Sequence, residues 1–285
     1  MVLESITTPL DAERRPWLLF IIGFLYTTMA VFIANWIFPD YAGIVFLTFI
    51  VMAFVPLLYA TMKDEEEKDL GTDDEIKLLV GHSKALNFFM FLFLGITFSV
   101  GLLYLVMPTH ISGAIFEPQI STINKIQGAA TGVEGNVISI NAFNRIFFNN
   151  IKVLGFCILF SLLYGAGAIF ILAWNASVIG VAVGEFARHQ IVRYASVLGF
   201  VNVSSYFQAI GLGLMRYMIH GIPEVAAYFV GALAGGILSV AIINHEIGTK
   251  KFEKVLSDVG ILVVISLGML LFGALLEVYV TPVFF

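Results

Sequence analysis

Six uninterrupted, uncharged apolar stretches dominate this chain: Trp17 to Phe38, Ala42 to Met62, Ala85 to Met107, Val153 to Trp174, Val225 to Ile243 and Val259 to Leu276. A helix of about 20 residues crosses a ~30 Å hydrocarbon core. In lipid only helices and closed barrels satisfy their own backbone polar groups. Continuous apolar runs, rather than ~10-residue alternating segments, select helices over barrel strands. A seventh stretch, Ala195 to Met215, is weaker because it holds Asn202, Ser204, Ser205 and Gln208. A short run, Ala176 to Gly184, suffices only for a half-crossing.

Composition agrees with these spans and excludes other classes. The chain is 59% hydrophobic and 12% charged, against about 25% charged in soluble domains, so it is not a cytosolic enzyme. Its net charge is −5 and no basic run exceeds two residues, which argues against nucleic acid as a partner. A single Cys157 excludes a disulfide within the chain and a Cys-rich metal site. No cleavable signal peptide is expected, because Asp11, Glu13, Arg14 and Arg15 lead straight into a full-length span.

Lys and Arg bias sets the orientation. With the N-terminus cytoplasmic, Arg14, Arg15, Lys63, Lys68, Lys77 and Lys84 fall inside. If 195–215 crosses, Arg188, Arg193, Lys250, Lys251 and Lys254 join them, leaving Lys125, Arg145, Lys152 and Arg216 outside. Seven crossings are therefore preferred over six. The expected fold is an all-α, polytopic transmembrane bundle of six to seven spans, with a broken or re-entrant helix pair around residues 202–243. Three units are read along it: a three-span unit, 1–107; an extracytoplasmic segment, 108–150; and a membrane core, 151–285. The cytoplasmic stretch 63–84 is acidic and reads as a solvated linker. The segment 108–150 is polar, with an amphipathic helix expected at Ile115 to Ile126.

Intramembrane polar residues are costly and each needs a reason. Asn175 follows Trp174 and suits a helix end, with Trp174-Asn175-Ala176-Ser177 as a turn at membrane depth. Glu185 is spaced for ion pairs with Arg188 and His189. The sharpest signal is His220-Gly221-Ile222-Pro223-Glu224. Gly221 can end one helix in a left-handed conformation, Pro223 suits the first turn of the next, and Glu224 suits its N-terminus. Arg216, one turn earlier, completes a candidate cluster of Arg216, His220 and Glu224, with Asn175 as a further polar candidate. A structural turn at the interface is the bland alternative. Two ligands are too few for a zinc site, so no metal and no cofactor are expected. His245 and Glu246 lie too far along the same helix to join. Gly231 and Gly235 form a GxxxG face, read as packing within the chain in preference to a homodimer interface. Glu277 is expected near the outer interface without a buried partner.

Asn149-Asn150-Ile151-Lys152-Val153, Tyr164-Gly165-Ala166-Gly167, Trp174-Asn175-Ala176-Ser177 with Gly180 and Gly184, and His220 to Glu224 with Gly231 and Gly235, in this order and spacing, resemble the stage II sporulation protein M family. The resemblance is densest over 145–245, and the first 110 residues look like archaeal-type members. It implies a polytopic membrane protein, and Asn175, His220 and Glu224 match recurring polar positions of the family. The namesake serves as a membrane scaffold for two cell-wall hydrolases, so the resemblance implies a scaffold role.

Three functions follow from these features. The first is a non-enzymatic scaffold in the cell membrane that assembles partner proteins through 108–150 or 63–84. The second is an ion or small-solute channel or transporter with its site at the His220–Glu224 break. The third and weakest is a lipid-acting enzyme using His220 and Glu224 as an acid/base pair. No catalytic residue is assigned, because no catalytic constellation is present.

Overall fold

Pro16 and Pro39 bracket the first long apolar run, and the helix between them is Trp17–Ile37 (α1). The computed structural model of the chain describes residues 15–71, 75–128, 136–164, 168–198, 202–243 and 247–284, and within them every element is helical. Ala42–Gly71 (α2) and Glu75–Val106 (α3) run on beyond the apolar windows into the acidic stretch. Two short helices, Thr109–Ile115 (α4) and Glu117–Gly128 (α5), follow Pro108. Then come Asn136–Tyr164 (α6), Ala168–Leu198 (α7), Val203–Ile243 (α8) and Lys250–Leu275 (α9). A π-helical turn, Leu276–Val280, joins α9 to a final turn of helix, Thr281–Phe284 (α10).

Seven helices, α1 to α3 and α6 to α9 with its extension, are long and apolar enough to cross a membrane. The all-helical, seven-span architecture expected from sequence is therefore present. Its partition differs from the expected one in two places. The expected span 153–174 is divided between α6 and α7, and α7 runs straight through Trp174 to Ser177, so neither a turn nor a half-crossing occurs there. The polarity that suggested a turn is satisfied inside the helix: Asn175 Nδ2 donates to Ile171 O at 2.8 Å and Ser177 Oγ to Trp174 O at 2.7 Å.

The second difference concerns 202–243. No break occurs at His220 to Glu224, and α8 is one helix of 41 residues. Asn202 does not cross the membrane; its Oδ1 accepts from the Ser205 amide at 2.9 Å and caps the start of α8. Pro223 withdraws one backbone donor, yet lipid offers no water to an opened turn, so continuing the helix costs less than breaking it. Gly221 is helical and buried, and the positive-φ glycine among the described residues is Gly248, at φ 81°. That glycine shapes the turn before α9, where Thr249 caps the helix by accepting from Phe252 N at 3.2 Å.

Small residues bring the helices together, as expected where apolar lipid removes the hydrophobic drive between them. A Cβ on Gly23 would lie 2.9 Å from Leu92 O, and one on Gly95 would collide with Phe20 O, so α1 and α3 touch backbone to backbone. Gly180 and Gly184 of α7 meet Thr97 and Gly101 of α3 in the same way. Gly231 of α8 faces Leu154 and Gly235 faces Ile158 O on α6, so the GxxxG face packs within the chain. The central helix is α8, whose residues from Ala227 to Ile237 are all buried.

The amphipathic helix expected at 115–126 forms as α5. It is docked onto the bundle: Ile115 and Phe116 are buried, Phe116 lies edge-on to Phe46, and Gln119 Nε2 donates to Gly43 O and Ser177 Oγ. Residues 136–150 form the first half of α6.

Candidate functional site

Arg216, His220, Glu224 and Tyr228 recur every fourth residue of α8, which places them one above another on one face. Neighbouring contacts fix their depth. Phe229 stacks on Phe89 at the start of the apolar window Phe89–Val106 of α3. Arg188 reaches Met107 O at the other end of that window. Between these levels, Gly221 meets Ile179, and the adjoining Gly180 packs on Thr97 in mid-window. Glu224 therefore lies between the two ends of that window, on its Phe89 side.

Two helices close on it, α6 and α9. Asn150, midway along the apolar window of α6, donates from Nδ2 to Glu224 Oε1 at 2.6 Å. Gly273 of α9 lies against the Glu224 side chain, and a Cβ there would come within 2.7 Å of Cγ. One turn beyond Gly273, Glu277 acts electrostatically on Glu224, and both carboxylates act on the buried Tyr228. Glu277 is thus not the unpartnered interfacial residue expected from sequence.

His220 meets the chain end. Its Nδ1 lies 3.2 Å from Thr281 Oγ1, which donates to Leu276 O at 3.2 Å. A hydroxyl has one proton to donate, so with both bonds made the imidazole donates from Nδ1, and in its neutral form Nε2 carries the lone pair. The π turn at Leu276–Val280 precedes Pro282, whose ring would meet the carbonyl four residues back in a regular α-helix. The wider turn relieves that clash and brings Glu277 and Thr281 toward α8. Such turns recur at functional sites.

Arg216 is the outermost member. Its guanidinium lies 5.2 Å from the Phe186 ring centre and 5.9 Å from that of Tyr217. Asn175 stands apart, bonded within its own helix. Arg188 departs from the expected ion pair with Glu185. It donates to Tyr104 O, to Met107 O at 2.9 Å and to Ser112 Oγ at 3.2 Å, and covers the Tyr104 ring at 4.7 Å. Arg188 therefore lies at the same end of the bundle as α4, opposite to the side expected from charge bias. His245, Glu246 and residues 165–167 lie outside the described residues. Among the described residues no three His, Cys, Asp or Glu side chains gather as metal ligands.

Sequence reasoning found three of the four residues on the α8 face and missed Glu277 and Asn150 as their partners. Asn150 carried a legible signal, since an asparagine at mid-span is as costly as any other intramembrane polar residue.

Fold and site together define a multi-pass helical membrane protein with an acidic polar cluster at its core. The profile of SpoIIM, stage II sporulation protein M, matches residues 18–282, and the chain belongs to that family. No match emerges among curated proteins or solved structures.

Proposed function

We propose that this chain is a non-enzymatic ion transporter or channel of the cell membrane, with its N-terminus cytoplasmic and its site at Glu224 and Glu277. The observation that carries this reading is a pair of carboxylates within the spanning helices: Glu224, held by Asn150 at 2.6 Å and packed on Gly273, with Glu277 one turn further along. Ionisable groups at that depth are expensive and concentrate on ion and proton pathways. Gly231 and Gly235 bring α6 and α8 together further along the helix, independently of the carboxylates. The site differs from the one expected from sequence, because a continuous helix and a carboxylate pair replace a helix break. The test is a flux panel in proteoliposomes covering H+, Na+, K+, Ca2+ and Cl−, comparing wild type with Glu224→Gln. Flux of one ion that is lost in the variant supports the reading, and wild-type flux equal to that of protein-free vesicles refutes it.

Assembly of partner proteins is the second reading, and one feature favours it. Beyond Arg188, α7 continues ten residues to Leu198, about 15 Å at helical rise, and α8 returns from Val203. This hairpin exposes Val192, Val197, Val203 and Phe207. A pull-down from native membranes in mild detergent, repeated with Phe207→Ser, tests it; loss of a stoichiometric partner in the variant is the expected result.

A further inference from the structure

Charge balance in the cluster identifies what it takes. The groups beside Glu224 are His220 and Tyr228, one turn to either side on its own helix, and Glu277 from the end of α9; Arg216 lies two turns away and acts on His220, and Cys157 of α6 acts on Tyr228. Arg216 is two turns from Glu224, so the two carboxylates have no cationic side chain between them. Two adjacent carboxylates shielded from water cannot both stay ionised without a cation or a proton between them. A calcium-type ion would bring two charges and needs six to eight oxygens. The oxygens here are partly engaged: Glu224 Oε1 by Asn150, and Thr281 Oγ1 by His220 and Leu276.

A proton needs no coordination shell, only groups able to pass it on, and α8 carries two of them on one face. His220 and Glu224 are a turn apart, about 6 Å along the axis. Because Nδ1 of His220 faces Thr281, its Nε2 is free to accept a proton and return it. We infer that the ligand of this site is the proton: one proton is shared by Glu224 and Glu277, and His220 Nε2 is its relay toward the Arg216 end. In each transfer Nε2 takes a proton and passes it to the carboxylate pair, the pair releases the one it held toward the side of the membrane away from Arg216, and Nε2 returns to the neutral Nδ1–H form, so both relay and pair are unchanged. Arg216, held over Phe186 and Tyr217 one turn outward, disfavours a metal cation entering from that end.

This inference rests on the transport reading and is separable from it by experiment. The full chain is reconstituted into phosphatidylcholine–phosphatidylglycerol vesicles containing pyranine, and a membrane potential is imposed with a K+ gradient and valinomycin. Wild type should change the internal pH. Glu224→Gln and Glu277→Gln should fall to the rate of protein-free vesicles, Glu277→Asp should restore part of the rate, and His220→Ala should slow it. Parallel vesicles without valinomycin report Na+, K+ and Ca2+. Movement of one of these with no proton movement retains the transport reading and overturns the proton assignment. No movement of any ion overturns both. Proton flux unchanged in both Gln variants overturns the site. A Gln variant that elutes as aggregate is replaced by Glu277→Asp and His220→Ala, and wild-type rates in both of these also overturn the assignment.

Discussion

Gly273 on α9 faces Glu224 on α8 so closely that a Cβ there would stand 2.7 Å from the glutamate Cγ. The absence of a side chain at one position thus sets the place of a carboxylate at another. Gly273→Ala should destabilise the protein by roughly 1–3 kcal/mol, the usual range for overpacking. Glu224→Ala, which removes Cγ, should relieve much of that cost in the double variant. Thermal unfolding in detergent measures both, and strictly additive losses would show that the two residues do not meet.

Asn150 and Glu224 should be coupled. Removing the amide strands a largely buried carboxyl oxygen, which costs about 1–3 kcal/mol. A double-mutant cycle of Asn150→Ala and Glu224→Ala should give a coupling energy of about 0.5–3 kcal/mol. A coupling near zero would contradict the 2.6 Å bond between them.

Arg188 secures the end of α3 through Tyr104 O and Met107 O and ties it to Ser112 of α4. Hydrogen bonds to charged groups contribute about 1.5–3 kcal/mol each way of counting partners, so Arg188→Ala should lower the melting temperature clearly. Arg188→Lys keeps the charge but loses the planar fork, and should recover only part of the loss. Full recovery by lysine would mean that charge alone matters there.

The bundle also predicts sidedness. In a Cys157→Ala background, single cysteines at Lys125, Arg193 and Lys251, all exposed, can be labelled with an impermeant maleimide in sealed vesicles. Positions 125 and 193 should label from one face and 251 from the other. Labelling of 193 together with 251 would restore the topology expected from charge bias and contradict the arrangement of α7.

Much of this was legible in the sequence. Apolar length specified an all-helical bundle of six to seven spans, though 225–243 and most of 195–215 proved to be one helix and Ala168–Leu198 a span of its own, and the four-residue spacing of Arg216, His220 and Glu224 specified a shared face. Boundaries were harder, because polarity alone does not say how a side chain is satisfied. Asn175 looked like a helix end but bonds to Ile171 within its helix, while Asn202 looked intramembrane but caps α8. Pro223 with Gly221 imitated a break that lipid makes unfavourable. Glu277 was unreadable for a different reason: its partner is set by how α9 lies on α8, and Gly273, which permits that approach, looks like any other glycine in an apolar run.

The most direct test of the central claim is ion flux through wild type and Glu277→Gln, reconstituted side by side at equal density, since only the packing of α9 on α8 puts Glu277 in the site. Flux present in wild type and lost in the variant, with both eluting as monodisperse protein, is the predicted result. Equal flux through the two would contradict a carboxylate pair at the heart of the pathway.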